Sequence, residues 1–200
     1  MIEAPYLHLD DFLDEDEHAK LLEFVRGNDA ELVTSSVNPA AESGHAIDDE
    51  YRRSRVLHEL GPIMSMFSTR LHALLPHVRS TIGLPWFAID RLEAQLTAHG
   101  DGDFFGVHTD RGGPDVSTRT VTYVYDNVER DGYYHPAEQY ATIEPRDNNI
   151  VFLLSTIFHE VMPVHTRGAD LEHQRFTVNG WFHCAKAEPA EASALDADDS

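Results

Sequence analysis

After Pro85 the chain changes period. Leu92, Ala94, Leu96 and Ala98 alternate with Arg91, Glu93, Gln95 and Thr97, a repeat of two that suits a strand with one apolar face. Runs at 103–110, 119–126, 139–145, 149–155, 159–165 and 174–184, separated by Gly, Pro, Asp and Asn, read as further strands. Several short strands after a helical region predict a mainly β chain with flanking helices (α+β). The expected core is a double-stranded β-helix, or jelly-roll, with the N-terminal helices packed on one face.

Two helices are expected ahead of the sheet. Asp14 and Glu17 have the spacing of a capping box, and Leu21, Leu22, Phe24 and Val25 then share one side of a helix over 15–26 that Gly27 can end. Pro62 opens a second, with Ile63, Met66, Phe67, Leu71, Leu74 and Leu75 at three-and-four spacing until Pro76 interrupts. The stretch from Val33 to Glu50 holds no period and reads as a long mobile loop. Residues 187–200 contain little to bury and are expected to be a disordered acidic tail, leaving 1–186 as a single domain.

Among the 200 residues, 35 acids against 15 bases give a formal charge of −20, which repels nucleic-acid phosphates and anionic lipid headgroups. Neither is expected as a partner; a small-molecule or peptidyl ligand is. One cysteine, Cys184, allows no internal disulfide, and with no long apolar run and an acidic start the expected location is cytoplasmic.

Thirteen histidines invite a metal reading. In a strand, His-x-Asp puts both side chains on one face, and a second histidine from elsewhere completes a 2-His-1-carboxylate site for iron(II). The pattern occurs at His8/Asp10, His99/Asp101 and His108/Asp110. The first lies in the approach to a helix and the second straddles a Gly-containing turn. The third ends the apolar run Phe104-Phe105-Gly106-Val107, with Gly106 leaving room in front of the pair. Spacing alone leaves a strand-end histidine beside a solvated aspartate as the competing reading.

Four blocks in order, His99 to Asp110, Arg119 to Tyr125, Phe158 to Val164 and Arg175 to Phe182, resemble the core of the prolyl-4-hydroxylase-like iron(II)/2-oxoglutarate oxygenases. The resemblance implies His108, Asp110 and His159 as iron ligands and Arg175 as the partner of the far carboxylate of 2-oxoglutarate, with His99, Asn179 and Tyr125 lining the co-substrate site. It also implies dioxygen as a reactant, ascorbate as an accessory reductant, and hydroxylation of an unactivated C–H of a proline, another amino-acid residue or a small metabolite, with release of succinate and carbon dioxide. An inward-facing Arg175 would otherwise be a buried cation without a counter-charge, which a dicarboxylate supplies; an ordinary pair with an Asp or Glu is the competing reading.

The chain departs from the family at several points. His99 stands where a tyrosine is common, Asp126 replaces a second tyrosine, 128–137 lacks the usual Gly-Gly-Glu-Leu strand, and the loop 165–173 lengthens the gap before Arg175. Loops 35–49 and 111–117 are candidate lids. Arg52, Arg53 and Arg55 form a basic cluster that could meet a substrate carboxylate or an acidic peptide; solvated charges on an edge strand, or pairs with Asp48, Asp49 and Glu50, are the plainer account. Phe104, Phe105, Trp86 and Trp181 are expected in the core. Two rival readings remain: a cupin-like metal enzyme that does not use 2-oxoglutarate, and a non-catalytic jelly-roll binding module.

Overall fold

The computed structural model describes residues 5–37, 47–111, 119–127, 141–168 and 173–185. Their order is β1 (Tyr6–Leu9), α1 (Glu15–Gly27), a short 3-10 turn (Asp29–Glu31), β2 (Val33–Thr34), β3 (Arg52–Arg53), β4 (Arg55–Leu57), α2 (Pro62–Ile82), β5 (Ile89–His99), β6 (Phe104–His108), β7 (Arg119–Asn127), β8 (Asn149–Leu154), β9 (His159–Val161) and β10 (Arg175–Cys184). Seven strands form one sheet in the order β1-β8-β7-β10-β5-β4-β2, and β3-β6-β9 form a second. All the strand pairs are antiparallel. This is the jelly-roll arrangement anticipated from the repeat of two.

The large sheet has two buried faces of opposite character. Leu96, Ala98, Val121, Tyr123, Tyr125, Ile150, Phe152, Val178 and Phe182 join Phe67, Leu71 and Val78 of α2 in one apolar cluster. The alternate positions Thr97, His99, Thr122, Asp126, Asn149, Arg175 and Thr177 are buried as well. Alternation therefore does not separate core from solvent here; it separates an apolar layer under the helices from a polar interior between the sheets.

The helices follow their sequence signals, with one extension. Asp14 caps α1 by accepting from the Glu17 amide at 2.9 Å, and the Glu17 carboxylate accepts from the Asp14 amide in return. Arg70 of α2 ties this cap down, donating to Asp14 at 2.8 Å and pairing with Glu17. The second helix does not stop at Pro76. It continues to Ile82 and ends at Gly83, whose φ of 73° suits a residue without a Cβ. Proline removes one helical hydrogen bond, but Val78 and Ile82 continue the buried stripe beyond it.

Other expectations need adjusting. Tyr6–Leu9, read as an approach to the first helix, is an edge strand on β8. Ser35 is buried and fixed by its amide and hydroxyl bonds to Ser54, so the loop after Val33 begins ordered. The strand expected at 159–165 is only three residues long, and 141–145 is not a strand. Trp86 is exposed rather than part of the core. Residues 38–46, 112–118, 128–140, 169–172 and 186–200 lie outside the described residues, and with them most of both candidate lids, the segment 128–137 and the expected tail. No helix among the described residues is long and apolar enough to cross a membrane.

Candidate metal centre

Antiparallel pairing of β6 with β9 sets His108 opposite His159. Their rings lie 4.2 Å apart, and Asp110, two residues beyond His108, closes the group. The His159 Nε2 lies 3.3 Å from Asp110 Oδ2 and the His108 Nε2 3.7 Å from Oδ1. One ligand atom from each of the three falls within 4.8 Å of the others, the only such grouping among the described residues. The neighbouring pair His8/Asp10 has no third ligand there, and His99 is separated from Asp101 by a turn.

Both imidazoles are oriented for ligation by the backbone. The His108 Nδ1 lies 2.8 Å from the Gly106 carbonyl and the His159 Nδ1 3.0 Å from the Ile157 carbonyl. A carbonyl can only accept, so each Nδ1 carries a proton and each Nε2 is the nitrogen that ligates a metal once it is unprotonated. Asp110 is held with equal care. Thr122 donates to its Oδ2 at 2.9 Å, and the Trp181 side chain helps to stabilise its charge. Burial would push this carboxyl up, but the hydrogen bond and charge of His159, with help from His108 and Trp181, hold it down to about 2. Burial and the neighbouring His159 lower His108 to about 4, whereas the bond to Asp110 raises His159.

The wall beside the triad comes from β6 itself and from the neighbouring β3. Phe105 stacks on His108 with centroids 3.6 Å apart, and the Arg52 guanidinium lies 4.5 Å from the Phe105 centroid. The room expected in front of Gly106 is filled: a Cβ there would come within 3.0 Å of the Tyr51 ring, whose hydroxyl donates to the Val107 carbonyl. Glycine is needed for this close approach. Phe105 is thus part of the site wall, and Trp181 supports a ligand.

The three arginines separate. Arg52 is half-buried, donates to Ser54 Oγ at 3.0 Å, and feels the Asp110 charge, while burial lowers it to about 10. Arg53 is exposed, donating to the Gly102 carbonyl with its guanidinium over Phe104. Arg55 bonds Asp29 and Gln174. The latter two make these contacts away from the triad; no ion pair among the described residues joins any of the three to Asp48, Asp49 or Glu50, and Arg52 meets Asp48 through its backbone amide, which donates to the Asp48 carbonyl at 2.8 Å.

Inside the sheet, Arg175 on β10 sits opposite His99 on β5. Arg175 is not a cation without a counter-charge: Asp126 Oδ1 accepts from its Nε at 2.8 Å and its Nη2 at 2.5 Å. The competing reading, an ordinary pair with an acid, is therefore what this structure shows, because β7 delivers Asp126 to the same interior. His99 is buried with its Nδ1 lacking a hydrogen-bond partner among the described residues. Burial first, then Arg175 and Arg52, keep its imidazole neutral by lowering it well below its usual range. Asn179 faces this interior and accepts from Thr97 Oγ1 at 2.8 Å. Tyr125 faces the other way, into the helix-side core against Phe12 and Phe67, and leaves the co-substrate set. Thr122 and Trp181 carried no ligand motif, although both occupy inward positions of their strands and alternation could have found them.

A jelly-roll carrying His-x-Asp and a distant histidine around one point is an arrangement that could hold a single non-haem metal ion with sites left for exogenous ligands. Residues 94–183 match the model of the 2OG-Fe(II) oxygenase superfamily, the family that the sequence blocks resemble. The chain is 28% identical over 196 residues to an uncharacterised PKHD-type hydroxylase of Synechocystis, the match covering 88% of this chain. The chain spans 62% of that relative's length. Its fold is similar to a Pseudomonas putida prolyl-4-hydroxylase (TM-score 0.64, 19% identity, 90% of this chain and 93% of that one). It is also similar to a Trichoplax adhaerens prolyl hydroxylase solved with a hypoxia inducible factor peptide fragment (TM-score 0.67, 16% identity, 90% and 84%).

Proposed function

We propose that the chain is an iron(II)- and 2-oxoglutarate-dependent dioxygenase that hydroxylates an unactivated C–H of an amino-acid residue or a small metabolite. The observation that carries this reading is the triad itself: two imidazoles with backbone-fixed tautomers and one clamped carboxylate, converging within 4.8 Å. The donor set suits iron(II). Bound there, iron(II) together with 2-oxoglutarate and dioxygen supplies the oxidising power for C–H hydroxylation, with succinate and carbon dioxide as co-products.

The remaining residues have positioning roles. Arg175 offers the guanidinium edge that Asp126 leaves open, and the unpartnered His99 Nδ1 is a buried polar atom that a carboxylate can satisfy. Asn179 completes that polar wall. Phe105 stacks on His108, and Tyr51 packs against Phe105 and Gly106 beside it, which fixes one wall of the site. Arg52, the one member of the basic cluster whose charge reaches Asp110, is the residue left to orient an anionic group of a substrate.

Anaerobic addition of iron(II) and then 2-oxoglutarate to the metal-free protein tests this. A visible charge-transfer band that needs both additions is the expected result, and its loss in His108→Ala, Asp110→Ala and His159→Ala should follow. Tight metal binding without the band would favour a cupin-like enzyme, a reading to which the Asp126–Arg175 pair lends support because it satisfies the arginine without a co-substrate. No metal binding at all would leave a non-catalytic module.

A further inference from the structure

We propose that Asp126 shares Arg175 with the far carboxylate of 2-oxoglutarate, acting as a positioning residue that aims the guanidinium while weakening the hold on the co-substrate. The inference rests on the 2-oxoglutarate reading above. Both hydrogen bonds from Arg175 reach a single oxygen, Asp126 Oδ1, through Nε and Nη2. That grip uses one side of the guanidinium and leaves Nη1 for another acceptor. The pair is buried on both sides, Arg175 at 8% and Asp126 at 3% relative exposure, so water screens the two charges poorly.

The surrounding groups make the arrangement specific to a carboxylate. His99 lies directly across from Arg175, buried, with an unpartnered Nδ1. Burial raises the Asp126 carboxyl, while the charge and hydrogen bonds of Arg175, and then the charge of His8, favour its ionised form, and Asn149 lies opposite it on β8. A carboxylate entering between Arg175 and His99 would gain two donors and meet a second carboxylate already on the same guanidinium. Like charges at that separation repel, and burial strengthens the repulsion. Asp126 thus serves two opposed ends: its oxygen aims Arg175, and its charge loosens the ligand that Arg175 receives.

Asparagine separates the two roles, since it keeps an oxygen acceptor and drops the charge. The full-length protein is loaded anaerobically with iron(II) and titrated with 2-oxoglutarate, following the charge-transfer band. In parallel it is titrated with 2-oxovalerate, a 2-oxo acid with the same chelating end and no far carboxylate. Asp126→Asn should reach half-saturation with 2-oxoglutarate at about tenfold lower concentration than the wild type, and its 2-oxovalerate titration should be unchanged. Asp126→Ala, which cannot aim Arg175, should bind 2-oxoglutarate more weakly than Asp126→Asn. Melting curves confirm that each variant is folded.

An unchanged or weaker 2-oxoglutarate titration in Asp126→Asn overturns the proposal, as does an equal tightening towards 2-oxovalerate. A wild-type protein that forms no band with either 2-oxo acid overturns the functional reading itself, a different failure that is visible before any variant is made.

Discussion

Removing one hydroxyl beside Asp110 should cost the metal site more than it costs the fold. Thr122 Oγ1 donates to Asp110 Oδ2 at 2.9 Å, and the same hydroxyl lies 3.0 Å from Ser155 Oγ. Thr122 and Ser155 are 1% and 0% exposed, so no water can take over when the hydroxyl becomes a methyl in Thr122→Val. A hydrogen bond to a charged group contributes about 1.5–3 kcal/mol. Each 1.4 kcal/mol or so is a factor of ten in binding, so the loss corresponds to roughly a 10- to 100-fold weaker metal site, the range usual for partners of metal ligands. The orphaned Ser155 hydroxyl should lower stability by about 1 kcal/mol or somewhat more. Anaerobic competition titration with a chromophoric chelator measures the first quantity and urea unfolding of the apo-protein the second. Thr122→Ser, which keeps the hydroxyl, should recover most of the affinity. If Thr122→Val held the metal as tightly as the wild type, Asp110 would be oriented by Trp181 and the histidines alone, and the reasoning would fail.

Three further outcomes are expected. Buried neutral His99, with Arg175 and Arg52 as its charged neighbours, titrates well below its ordinary 6.5 in the folded chain. The unfolded chain therefore takes up that proton first, so stability is full above about 6.5 and falls as the pH drops below it. His99→Asn should flatten that fall, read as the difference in urea midpoint between pH 7.5 and pH 5.5; equal slopes in both proteins would count against it. Phe67→Ala removes a fully buried ring in contact with Phe12 and Tyr125 and should cost about 3–5 kcal/mol, with a loss below 1 kcal/mol or so arguing that the α2 interface is loose. Arg53→Ala, which removes only an exposed contact to the Gly102 carbonyl, should leave metal and 2-oxoglutarate titrations unchanged, and a large shift in either would restore it to the site.

Sequence and structure divide the account at identifiable residues. Alternation over Leu92 to Thr97 and the capping box at Asp14 announced the sheet and α1, because both depend on neighbours close in the chain. His108, Asp110 and His159 were legible through their motif and its order along the chain, and the pairing of β6 with β9 brings them together. Alternation could not show that Thr97 and His99 are as buried as Leu96 and Ala98, since period two reports two faces and is silent on what covers each. Nor could it show that α2 passes Pro76, a local preference overridden by the burial of Val78 and Ile82.

The sequence by itself determined the kinds of side chain available and which of them share a strand face: a His-x-Asp pair, a further histidine later in the chain, an arginine at the start of the last strand and a large excess of acids. Only the tertiary structure decided their partners. Asp126 meets Arg175 because β7 lies beside β10, and Thr122 meets Asp110 across 12 positions of chain. Arg52 faces the triad while Arg55 turns to Asp29. Strand pairing chooses among acceptors far apart in sequence, and hydrogen bonds of 2.5–3 Å register that choice where a residue pattern cannot.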